Sequence, residues 1–176
     1  MLKKNKIVLV PIGKEHLDQT RSWANNQNLH EKILRTYPVS EDEQDKWYAD
    51  IVSNSERLVF AIVNDENNNH VGNTGLYNIN LLYGHAEFWI LIGEEKFQGI
   101  GIGKTVLLLM LKYAFGNLKL NKIYLHVGDD NIEAIKLYKK HGFIKDGMLR
   151  HHFFINGEYK NIFIMSILRD NYYEEK

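Results

Sequence analysis

The chain has no cysteine among its 176 residues. A thiol nucleophile, a structural disulfide and a cysteine-ligated metal are therefore excluded, and the chemistry must come from oxygen, nitrogen or the backbone. An excess of either charge is also lacking. Lysine plus arginine and aspartate plus glutamate both number 22, a formal net charge of zero, so bulk charge gives no argument for binding nucleic acid or a membrane surface. No stretch approaches the roughly 18 uninterrupted apolar residues of a membrane span. The opening M-L-K-K-N-K-I-V-L-V-P-I is basic and then apolar, but its apolar run is short and Pro11 interrupts it, which reads as a first strand rather than a signal segment. A cytoplasmic protein is expected.

What is present suits one compact domain. With 44% apolar residues, the chain can bury a core of its own and is short for two, so 1–176 is expected to be a single domain. Lys6 to Ile12 is β-branched and strand-like, and Glu15 to Asn25 has helix-compatible apolar spacing. Ser40 followed by Glu43 is a capping-box pattern, predicting a second helix to about Ser53. Strands are predicted over 58–63, 71–79 and 85–92, a helix apolar on nearly every side over about 101–118, a strand over 122–127 and a helix over 132–141. An antiparallel pair, 143–155 and 158–168, turns through Asn156-Gly157. The order β-α-α-β-β-β-α-β-α-β-β predicts an α/β fold with a mixed sheet, the two strands flanking the apolar helix being parallel.

Between the 85–92 strand and that helix lies K-F-Q-G-I-G-I-G-K-T, residues 96–105. Glycines at 99, 101 and 103 keep the backbone bare where the first N–H groups of a helix lack internal partners, which makes an anion cradle. Lys104 in the first turn opposes the helix dipole unless an anion sits beside it. A P-loop is excluded because its first glycine would stand at Gln98, and G-x-G-x-x-G would need a glycine at 104 or 106. The competing reading is a tight strand-to-helix connection and nothing more.

The spacing that does fit is Q-x-x-G-x-G, made by Gln98, Gly101 and Gly103, and it resembles the pyrophosphate loop of the Gcn5-related N-acetyltransferase (GNAT) superfamily. D-N-I-E-A-I-K-L-Y-K-K-H-G-F, residues 130–143, is similar to the family's second signature at Asn131, Ala134, Leu137, Tyr138, Gly142 and Phe143. The resemblance implies the acyl-CoA N-acyltransferase fold and acetyl-CoA as co-substrate, with no metal. It further implies that Ile90, Ile92, Gln98, Gly99, Ile100, Gly101, Ile102, Gly103, Lys104, Asn131, Ala134 and Tyr138 bind the cofactor. Tyr138 would protonate the leaving thiolate and Glu87 would draw a proton from the amine, directly or through water. Each has a plainer reading beside it, Tyr138 as a core ring, Glu87 as an edge ion pair and Asn131 as a helix N-cap.

The acceptor is the open question. Trp23, His30, Glu31, Arg35 and Tyr37 fall where the family lines its substrate groove, and their mixed charge does not suggest the converging carboxylates a polyamine needs. The Glu41-Asp42-Glu43 run could supply them, although acids at a helix start are explained by the dipole. A-E-F-W-I, K-I-Y-L-H-V and F-F-I-N-G-E-Y are similar to bacterial spermidine acetyltransferases, and also to ribosomal-protein N-terminal and amino-sugar-nucleotide acetyltransferases. The S-E-D-E-Q-D-K-W-Y segment resembles the amino-sugar group most. The expected order is an amino-sugar nucleotide or similar small amine, then a polyamine, then a protein N-terminus, with a CoA-binding regulatory domain as the non-enzymatic alternative. A homo-oligomer is left open. His126 sits in an otherwise apolar strand, and adjacent His151 and His152 face opposite sides, so the histidines are read as satisfied or exposed and not as metal ligands.

Overall fold

A computed structural model of the chain describes residues 2–173. Eight strands form one sheet in the order β1-β2-β3-β4-β5-β6-β8-β7. They are β1 (Leu2–Lys4), β2 (Ile7–Pro11), β3 (Leu58–Asn64), β4 (Asn69–Asn80), β5 (His85–Ile92), β6 (Lys122–Gly128), β7 (Ile144–Ile155) and β8 (Glu158–Leu168). The helices are α1 (Leu17–Ala24), α2 (His30–Ile33), α3 (Glu41–Ser53), α4 (Ile102–Lys112) and α5 (Ile132–Lys140). The mixed α/β sheet anticipated from the sequence is present, with two additions. The basic N-terminus folds back as β1 through a turn at Asn5, whose φ is 55°, and a single helical turn, α2, interrupts the segment after α1.

Local chemistry accounts for most of these boundaries. Ser40 caps α3 by accepting from the Glu43 backbone N–H while the Glu43 carboxylate accepts from the Ser40 backbone N–H at 2.8 Å, a reciprocal box that satisfies two otherwise orphaned donors. Along α3 the buried residue is Gln44, and Val52 is exposed. Asn156 and Gly157 have φ of 52° and 82°, the left-handed pair that a two-residue hairpin turn requires. The apolar run after the glycine loop is α4, continued by a π-helical turn over Tyr113–Asn117.

α4 is the buried helix of the fold. Val106, Leu107, Met110 and Leu111 are at most 1% exposed and pack with Ile62, Phe88, Ile123 and Met165 from the sheet. At about 1.5–3 kcal/mol for each fully buried large apolar side chain, this layer is the main source of stability. β5 shows the period of two: Ala86 and Phe88 join the α4 core, while Trp89 and Leu91 pack with Trp23 and Leu29 on the opposite face.

The feature that positions the site is a fork. β5 and β6 are parallel and pair only at His85–Lys122, Ala86–Ile123 and Glu87–Tyr124. Beyond Glu87 the strands part, so residues 88–92 and 125–128 form no ladder with each other. The backbone groups along that edge are left to pair with something else. No helix among the described residues is long and apolar enough to cross a membrane.

Candidate active site

A cavity of about 890 Å³ runs through the fork. One end is the glycine loop and the start of α4 and α5. The other is walled by α2, α3 and the outer face of β4 and β5, including Glu31, Glu43, Trp47, Tyr77 and Trp89. Phe88, Ile90 and Tyr138 belong to the α4 core, whereas Trp89 belongs to the opposite face. The fork therefore lets one ligand approach from each side of the sheet.

At the loop end, Gly99 and Gly101 have φ of 71° and 90°, and a Cβ built on either meets no atom within 4 Å. The left-handed backbone and the open space together mean that a side chain there would be strained and would project where the loop is now bare. Gly101 is the N-cap of α4 and supplies no side-chain cap, so the first N–H groups of an 11-residue helix face the cavity mouth without internal partners. Gly99, Gly101, Gly103 and Lys104 line the cavity, as do Ile90, Ile92, Asn131, Ala134 and Tyr138.

The side chains of three other loop residues lie elsewhere than on the open cradle. Gln98 lines the cavity, but its side chain is committed to the protein: its Nε2 donates to the Ile92 carbonyl at 3.2 Å and its Oε1 accepts from Lys32. It braces the loop against β5 and α2. Ile102 is buried in the α4 core and Ile100 is 66% exposed, since successive residues entering a helix point in different directions. Neither side chain lines the cavity.

Asn131 caps α5, its Oδ1 accepting from the Ala134 N–H at 3.2 Å, so the N-cap reading holds at a cavity-lining position. Tyr138 lies two turns further along, in edge contact with Phe88 at 6.5 Å and tilted against Phe143 at 5.6 Å. Burial pushes its phenol from 10.0 up to about 12. It therefore holds its proton throughout the physiological range, as a proton donor must.

Glu87 faces the cavity at the last paired position of the fork. Its Oε1 is 2.7 Å from His126 Nδ1 and its Oε2 accepts from Asn78 Nδ2 at 2.9 Å. His126 lies on the same strand face as Tyr124, lines the cavity, and has its pKa raised chiefly by the hydrogen bond to Glu87, against burial. The sequence reading passed over His126, because one polar residue in an apolar strand does not announce its partner 39 positions away. The alternation that places 122, 124 and 126 on one face was the available signal. His152 lines the cavity, while His151 stacks on Tyr159 outside it. No group of three or more His, Asp or Glu among the described residues could hold a metal ion.

On the acceptor side, Glu31 and Arg35 line the cavity and Trp23, His30 and Tyr37 do not. Trp23 is 3% exposed, and a Cβ on Gly93 would come within 2.0 Å of its ring. It is a packing residue whose position depends on that glycine. Tyr37 is exposed, with the Arg35 guanidinium 4.3 Å over its ring. In their place the structure brings in Glu43, Gln44, Trp47, Tyr77, Trp89 and His126. Of the four carboxylates that line the cavity, Glu133 comes from α5, while Glu31, Glu43 and Glu87 come from α2, α3 and β5 and share it with an aromatic wall.

Comparison with known proteins adds to this geometry. The profile of the acetyltransferase (GNAT) domain matches residues 6–144. A spermidine N(1)-acetyltransferase of Vibrio cholerae is 38% identical over 149 residues, 84% of each chain. The crystal structure of spermidine N-acetyltransferase from Vibrio cholerae in complex with CoA and spermine superposes with a TM-score of 0.89 at 32% identity. That match covers 95% of this chain and 98% of the other. A dodecameric structure of that enzyme in an intermediate state matches at TM-score 0.81 and 29% identity, over 94% and 95% of the two chains.

Proposed function

The chain belongs to the GNAT acetyltransferase family and is an acetyl-CoA-dependent N-acetyltransferase, and from that premise we propose that its acceptor is a polyamine of the spermidine and spermine class. The convergence of Glu31, Glu43 and Glu87 on one cavity carries this reading. A polycation stays bound where several separated carboxylates face it across an aromatic, partly desolvated wall. The relatives named for spermidine support the same choice, and reverse the order expected from the sequence, in which an amino-sugar nucleotide came first. The mixed charge of the segment after α1 had suggested otherwise because it showed Arg35 and not the carboxylates that α3 and β5 add to it.

In this reading the bare backbone at Gly99, Gly101 and Gly103, with the α4 N-terminus, holds the CoA pyrophosphate. The pantetheine arm lies along the open edge of β5 and passes Asn131, bringing the thioester to the fork. The amine enters from the α3 side, attacks the carbonyl carbon directly, and no acyl group passes to the protein. Tyr138 gives its proton to the departing thiolate. The domain spans the whole chain, and the protein self-associates as its dodecameric neighbour does.

The test is an amine panel containing spermidine, spermine, amino-sugar nucleotides and an N-terminal peptide, read by thiol release and mass spectrometry. Because the chain has no cysteine, a thiol reagent reads CoA alone. Turnover efficiency on spermidine or spermine at least tenfold above every other amine is the expected result. A preference for the amino-sugar nucleotides overturns it.

A further inference from the structure

We infer that His126 Nε2, and not the Glu87 carboxylate, is the base that takes the proton from the attacking amine. Both oxygens of Glu87 already have donors, His126 Nδ1 at 2.7 Å and Asn78 Nδ2 at 2.9 Å. These two hydrogen bonds fix the carboxylate against the sheet and take up half of its accepting capacity. Asn78 sits at an irregular point of the backbone. It has a φ of 50°, inside the register irregularity of β4 and β5 between Tyr77 and Asn80, a conformation that asparagine tolerates better than most residues.

The imidazole is arranged in the complementary way. An ionised carboxylate only accepts, so Nδ1 of the neutral ring must carry the hydrogen, and Nε2 keeps its lone pair. Nε2 has no hydrogen-bond partner among the described residues, and the ring lines the cavity two residues past the fork. Glu87 is then a positioning residue, fixing the tautomer and orientation of the ring and stabilising the imidazolium. The charged and titratable groups around the ring are few. Glu87 lies on β5 and Tyr124, 6.0 Å away between ring centres, on β6, while α5 contributes Glu133 and Tyr138 and β7 His152 to the same cavity. The hydrogen bond to Glu87 raises the imidazole above its ordinary 6.5, which makes it a stronger base for an ammonium.

The proton balance is complete without another reagent. The ammonium loses one proton through His126 to solvent and attacks the carbonyl carbon. The nitrogen of the tetrahedral adduct loses its second proton to the same Nε2. The C–S bond breaks with its electron pair on sulfur, and Tyr138 protonates that thiolate. Tyr138 is reprotonated from the pool that His126 releases. One of the two protons lost by nitrogen thus ends on CoA and the other in bulk water.

This rests on the acetyltransferase reading and not on the acceptor's identity, so pH profiles are to be measured with whichever primary amine the panel turns over best. A wrong acceptor class then shows in the panel, and a wrong base shows in the variants. His126→Gln keeps a donor for Glu87 and removes the basic nitrogen. Its kcat/KM should fall by about 10² to 10⁴, with acetyl-CoA affinity and melting temperature unchanged, and the acid limb of the profile should disappear. Glu87→Gln should fall less and should move the acid limb to lower pH, because the group that raised the imidazole is gone. In the wild type, NMR titration of the His126 ring should give a midpoint above 6.5 that coincides with the acid limb. The inference is overturned if His126→Gln stays within about threefold of wild type with its acid limb intact while Glu87→Gln is inactive. It is equally overturned if the ring titrates away from the acid limb, a measurement that needs no variant.

Discussion

Glu87 Oε1 lies 2.7 Å from His126 Nδ1 across the point where β5 and β6 part. Both side chains lie on the face of the sheet opposite α4, at the point where the fork opens, and both line the cavity that Tyr138 also lines.

Gly101→Val should weaken acetyl-CoA binding by at least about tenfold, about 1.4 kcal/mol, while the protein stays folded. The Cβ itself would meet nothing within 4 Å, so the loss comes from the left-handed φ of 90° and from filling the cradle. Calorimetric titration of the folded variant decides it, and unchanged affinity would mean the loop only connects β5 to α4.

Tyr138→Phe keeps the ring contacts to Phe88 and Phe143 and removes the hydroxyl. A kcat about 10² to 10⁴ below wild type with unaltered acetyl-CoA affinity is expected, measured under conditions where amine attack is shown not to limit. Turnover above half of wild type would return Tyr138 to a packing role. Its phenol also makes a stability prediction. Folded Tyr138 titrates at about 12 against an ordinary 10.0, so above pH 10 the unfolded chain loses a proton that the native state keeps. The stabilisation is complete below pH 10 and disappears as pH rises towards 12. Comparing wild-type and Tyr138→Phe denaturation curves across that window isolates it.

Glu43→Gln separates charge from structure, because glutamine can replace glutamate in a capping box. KM for spermidine should rise several-fold, with kcat and melting temperature nearly unchanged. Ser40→Ala, by contrast, removes the N-cap that α3 depends on and should cost about 1 kcal/mol of stability. An unchanged KM in Glu43→Gln would remove that carboxylate from the pocket's function.

On the proposed polyamine reading, added salt should reduce kcat/KM for spermidine steeply, because the screening length is about 8–10 Å at physiological salt and the proposed carboxylate contacts are partly exposed. A flat response between low and physiological ionic strength would count against the carboxylate pocket. Light scattering on the purified chain tests its self-association independently of activity.

The sequence by itself determined what is encoded over short distances. The Ser40 capping box, the Asn156-Gly157 turn, the apolar α4 and the Asn131 cap all come from interactions within a few residues, and all stand as read. The same holds for the glycine spacing from which the family is recognisable, because a helix N-terminus and a bare loop are adjacent in the chain. Trp23, Glu43 and His126 are different. Whether Trp23 lines a groove or fills the core depends on Gly93, 70 residues later, leaving its backbone bare. Glu43 could be read as a helix-dipole partner or as a pocket carboxylate, and its place in the cavity with Glu31 and Glu87 came only with the packing of α3. His126 meets Glu87 because of where the β5–β6 ladder stops, which no local periodicity specifies. Tertiary structure decided these because pairing across a sheet depends on register, which is set by the hydrophobic pattern and turns of whole strands rather than by the residues that end up meeting.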